Sequence, residues 1–120
     1  MTDSYPQGKT TVSPDVLITI TRLSALSVPG VSRLAQVPGG VNRLFKRGVG
    51  DGVRIEVEDN VIVANLYLIL KQNVNIREVS RNVQQQVARA LQEMVGMDIG
   101  GIEIHIEDID MGEDAEAGPE

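Results

Sequence analysis

Few side chains in this sequence have the means to do chemistry, and their spacing is poor for it. His105 is the only histidine, set between Glu103 and Glu107. On a strand, that spacing puts one imidazole beside two carboxylates on a single face, and a metal would need further donors brought from elsewhere. His105 therefore reads as a sheet-face histidine. Residues 108–113, DIDMGE, are spaced somewhat like a calcium loop. The glycine comes one position early, however, and neither the late glutamate nor a following helix is present. Gly48, Gly50 and Gly52 match neither a P-loop nor a dinucleotide fingerprint, because no Lys-Ser/Thr pair follows and the next segment has strand character. There is no cysteine, which removes thiolate catalysis, disulfides and cysteine-ligated metals together. We expect no enzyme, no cofactor and no metal.

One cluster of like charge has the composition of a ligand site. Arg33, Arg43, Lys46, Arg47 and Arg54 face a single acid, Asp51, across a stretch holding Gly39, Gly40, Gly48, Gly50 and Gly52. Clustered positive charge on a glycine-rich loop can wrap phosphate, an anionic lipid headgroup or RNA, so residues 33–54 form a candidate anion-binding loop. The alternative is that these charges only solubilise a long loop. Three aromatic residues in the chain disfavour a stacking platform for nucleic acid.

The elements that must position these residues are organised around residues 59–71, DNVIVANLYLILK. Strand alternation splits this stretch into Ile62, Ala64, Leu66, Leu68 and Leu70 on one face and Val61, Val63, Asn65, Tyr67 and Ile69 on the other. A strand apolar on both faces is normally central and covered on both sides, yet the chain offers few elements to do the covering. Val53, Ile55 and Val57 alternate with Arg54, Glu56 and Glu58, and residues 58–60 turn this strand back onto the central one as a hairpin. Residues 101–109 form another strand with Ile102, Ile104 and Ile106 on its apolar face, and residues 31–36 a shorter one. Residues 9–12 are expected as an edge strand.

Two helices complete the pattern. Ser13-Pro14-Asp15 has an N-cap, a proline at the first helical position and an acid at the positive end of the dipole. It opens a helix over 14–27, with Leu17, Ile20 and Leu23 expected on its buried face, despite the β-branched run that follows. Pro29 ends it. Asn75 and Glu78 cap a second helix, which Gly96 stops; Ile76, Val79, Val83, Val87, Ala90, Leu91 and Met94 fall on one arc. A turn of helix is expected over 41–46. The fold class is α+β: a two-layer, mostly antiparallel β-sheet with two α-helices packed on one face.

The length of 120 residues fits one domain, which we place at 9–110 between a flexible leader (1–8) and a disordered acidic tail (111–120). The net charge of −6 is uneven. Residues 103–120 carry eight of the seventeen acids and no base, leaving eleven bases against nine acids in the rest. No apolar run approaches the roughly 20 residues of a membrane helix, so direct membrane insertion is not expected. With both helices on one face, the Val61, Val63, Asn65, Tyr67, Ile69 set is left without a cover. It becomes the candidate self-association face, an apolar centre with a polar rim.

Taken together, SPDVL, Gly30-Val31, GVRIEVED, the apolar strand, NVNIREV, EMVGM and IEIHIEDI resemble, in order and spacing, the alkaline-shock-protein family of bacterial cell-envelope stress proteins. The resemblance covers roughly residues 11–109. Asn73 stands where the family often has glycine, and Arg22 and Arg33 interrupt the usual small and apolar positions. The resemblance implies a non-enzymatic cytoplasmic protein that self-associates as a homo-oligomer and is held at the inner face of the membrane by a membrane-embedded anchor protein.

Overall fold

The computed structural model describes residues 11–36, 49–50 and 52–112. They form two helices and a five-stranded sheet in the order α1 (Pro14–Leu26), β1 (Val31–Leu34), β2 (Val49–Gly50), β3 (Val53–Glu58), β4 (Val61–Lys71), α2 (Ile76–Val95) and β5 (Asp98–Asp110). The α+β reading holds, and three of the four strand pairings are antiparallel. The fourth, β4 with β5, is parallel and is the longest in the sheet. A parallel neighbour needs a crossover, and α2 supplies it between these two strands.

Local chemistry sets the ends of the elements. Ser13 accepts from the Val16 amide and Asn75 from the Glu78 amide, 3.0 Å away, which satisfies amides that a helix start leaves orphaned. Gly96 closes α2 in the left-handed conformation at φ 77°. Asp59 and Asn60, at φ 54° and 66°, both take the left-handed geometry of a two-residue primed hairpin turn between β3 and β4. Asn73 also lies at positive φ, 63°, which asparagine tolerates.

Ile62, Ala64, Leu66, Leu68 and Leu70 are fully buried beneath both helices: α1 packs on β1 and β3, α2 on β5, and the helices touch one another. At about 1.5–3 kcal/mol per large side chain, β4 alone contributes on the order of 10 kcal/mol. The exposed Arg89–Glu93 pair adds a few tenths at most, so burial holds the layers together.

The structure corrects several expectations. The buried face of α1 is Leu17, Ile18, Thr21 and Ala25; Ile20 is only half-buried and Leu23 is 59% exposed. Val16, Ile20 and Leu23 are as apolar as the buried Leu17 and Ile18, and the buried face includes polar Thr21, so periodicity could not set the phase of α1. In α2 the buried stripe is Val79, Val83, Val87 and Leu91, while Ile76 and Met94, near the ends of a helix about 30 Å long, are exposed. Strand β1 stops at Leu34, and β5 begins three residues earlier than expected. Thr11 and Val12 belong to no strand. Lys9 and Thr10, the 41–46 helical turn, the 1–8 leader and most of the acidic tail lie outside the described residues.

Candidate functional site

The side of the sheet away from the helices is built on β4. A strand has two edges, and β5 pairs along one of them from Val61 to Lys71. The other edge is shared end to end: β3 pairs with Val61 to Leu66, and β1 with Leu68 to Leu70. The chain leaves this edge at Ala35 and returns at Gly52, both bonded to Tyr67. The Ala35 amide donates to the Tyr67 carbonyl at 2.7 Å, and the Tyr67 amide donates to the Gly52 carbonyl at 2.9 Å. Space is tight at this junction. A Cβ on Gly52 would lie 2.5 Å from the Leu34 Cβ and 2.6 Å from the Ala35 oxygen, and φ is +72°, so only glycine fits without distortion.

Registered neighbours share a face, which places the residues singled out from sequence. Val61, Val63, Asn65 and Ile69 are half-buried on the open side, and Tyr67 is 9% exposed. Beside Asn65 stand Arg54 on β3 and Glu103 on β5; His105 is beside Tyr67, and Ile69 lies between Arg33 and Asp108. At the centre, the His105 ring stacks on Tyr67 with centroids 4.6 Å apart, and His105 Nε2 is 2.9 Å from Asn65 Oδ1. The lone polar residue of this strand face is thus satisfied by the lone histidine, and His105 is a sheet-face histidine engaged with its neighbours. The face also bends. β5 carries irregularities near Gly100 and Glu107, and Gly100 leaves room for Val61 and Val63, whose methyls a Cβ there would meet at 2.8 and 3.3 Å.

The five basic candidates are only partly placed. Arg33 and Arg54 sit on the open side, four β4 positions apart. Arg43, Lys46 and Arg47 lie outside the described residues. Arg33 is engaged already: its Nη1 lies 3.1 Å from Asp110 Oδ2, which also accepts from Ser32 Oγ at 2.6 Å. These bonds, with the Gly112 amide, hold the Asp110 carboxyl below its ordinary range. The contact spans β4 and ties β1 to the end of β5. Nothing in the local pattern of Ser32 or Asp110 signalled this link, because it depends on the parallel placement of β5.

Among the described residues no group of three or more His, Asp or Glu is arranged to hold a metal ion, and no helix is long and apolar enough to cross a membrane. A shallow cleft lined by Ser27, Val28, Pro29, Asn82, Gln85 and Gln86 lies between the helices, and it holds no acid, base or nucleophilic pair.

Comparisons with known proteins point one way. The model of the family named for alkaline shock protein 23, of cell envelope-related function, matches residues 2–111. Bacillus subtilis YqhY is 31% identical over 82% of this chain and 75% of its own length. Streptococcus pyogenes Spy1535 is 33% identical over 91% of this chain and 84% of its own. Bacillus subtilis YloU is 23% identical over 85% and 88%. Among solved structures, the zinc form of a MamM CTD variant superposes with TM-score 0.52 at 14% identity, covering 82% of this chain and 89% of that one. At that identity the likeness extends to the fold alone.

Proposed function

The chain belongs to the alkaline-shock-protein family of cell envelope-related function, and from that premise we propose that it is a non-enzymatic structural protein. In this reading it self-associates through the open face of its sheet, works on the cytoplasmic side of the envelope, and reaches the membrane through a membrane-embedded partner.

One observation carries the self-association: on the open face Val61, Val63 and Ile69 remain partly exposed around the buried Tyr67, while both helices lie on the other side. Monomeric proteins seldom leave such a strip without a partner. Spanning three strands, the patch measures roughly 30 by 15 Å from strand geometry, at the small end for protein interfaces. Association is therefore weak and reversible, in the micromolar range or above.

Sedimentation equilibrium up to high micromolar concentration tests this reading. Wild-type protein should associate reversibly, and Val63→Glu or Ile69→Glu should be monomeric while still unfolding cooperatively. A wild-type chain that stays monomeric throughout would overturn it.

A further inference from the structure

The charges flanking the apolar strip determine how two such faces would meet. At the level of Asn65 the sheet carries Arg54 on the β3 side and Glu103 on the β5 side, and at the level of Ile69 it carries Arg33 on the β1 side and Asp108 on the β5 side. At these two levels the β3/β1 flank is basic and the β5 flank acidic, about 10 Å apart with β4 between them, while Glu56 and Glu58 stand beside Val63 and Val61 farther along β3. We propose that two copies of this chain pack open face to open face about a two-fold axis parallel to β4, so that Arg54 of each copy meets Glu103 of the other. This geometry rests on the self-association reading above.

Two symmetric arrangements keep facing strands aligned, as sheet packing requires. An axis along β4 preserves level along the strand and exchanges the flanks. Arg54 then lies over Glu103, and Arg33, which already holds Asp110 of its own chain, lies over Asp108, each contact occurring twice. The levels of Val61 and Lys71 oppose this arrangement, because Glu58 would lie over Asp98 and Lys71 over Lys71.

An axis across the strands through the level of Asn65 preserves the flanks and reverses the levels. Arg54 would lie on Arg54, Glu103 on Glu103, and Asp98 on Asp108, and only Glu58 on Arg33 would be favourable. The first arrangement pairs Arg54 with Glu103 at the middle of the strip, where the second stacks Arg54 on Arg54 and Glu103 on Glu103. Since like charges juxtaposed in an interface suppress that pairing, the axis parallel to β4 is selected.

Charge reversal tests the proposal. Arg54→Glu and Glu103→Arg should each weaken self-association at least about tenfold, since each creates two like-charge contacts per dimer. An equimolar mixture of the two variants should recover wild-type affinity as a heterodimer, because both reversed contacts become complementary there. Recovery in the mixture also shows that both variants are folded. If Arg54→Gln tightens association, Arg54 faces Arg54, the axis runs across the strands and the proposal fails. If wild-type protein dimerises but the mixture shows no recovery, the proposal fails while self-association stands. If wild-type protein never associates, both fail.

Discussion

The phenol ring of Tyr67 lies nearly flat on the imidazole of His105, with the planes 12° from parallel. This pair bridges β4 and β5 on the open side of the sheet, at the middle of their parallel ladder. Stacked aromatic pairs contribute about 0.5–1.5 kcal/mol beyond burial. A double-mutant cycle of Tyr67→Leu and His105→Ala, read by urea unfolding, should therefore return a coupling energy in that range. Additive effects of the two substitutions would show that the stack is without energetic consequence.

Thr21 offers a gain in stability. Its side chain is fully buried in α1, and its Oγ1 has no hydrogen-bond partner among the described residues. A buried hydroxyl without a partner forfeits its hydration. Thr21→Val keeps the branched shape and removes the polar atom, so it should raise unfolding stability by about 1 kcal/mol. The denaturant midpoint should rise with its slope unchanged; a fall would mean that the hydroxyl is satisfied.

Asp110 should leave a signature at acid pH. Its bonds to Ser32 Oγ and the Gly112 amide, with the Arg33 guanidinium nearby, place its folded pKa below the ordinary 3.8. A depressed carboxylate stabilises the fold above its unfolded value, and that contribution drains away as pH falls from about 3.8 through the folded value. The stability difference between wild type and Asp110→Asn should thus be constant near neutrality and shrink in strong acid. Side-chain carbon NMR should show Asp110 titrating below ordinary aspartates, and Ser32→Ala should move it upward.

Much of the fold is legible in local sequence. Ser13-Pro14, Asn75 to Glu78, Gly96 and Asp59-Asn60 each have a short-range reason for the backbone they adopt. The two faces of β4 follow from alternation alone. What escaped is non-local. The parallel register of β5 depends on the path of α2, and the end-to-end placement of β1 and β3 depends on the chain returning at Gly52. Neither leaves a periodic trace. The phase of α1 escaped for another reason: Val16, Ile20 and Leu23 are as apolar as the residues that are buried, so only packing could choose among them. The Asn65, Tyr67 and Ile69 face was visible, but its ties to His105, Arg33 and Asp110 required the sheet order.

At the junction of Ala35 and Gly52, the points where the chain leaves and rejoins the edge of β4 are both clasped by Tyr67 of the central strand. With both ends held at one residue, closure entropy depends only weakly on loop length, about 0.6 kcal/mol per doubling. One residue added within β3 would instead turn every later side chain of that strand to the opposite face. The places of β1 and β3 along the edge of β4 are thus both keyed to one residue, Tyr67, which acts as the reference mark for that whole side of the sheet.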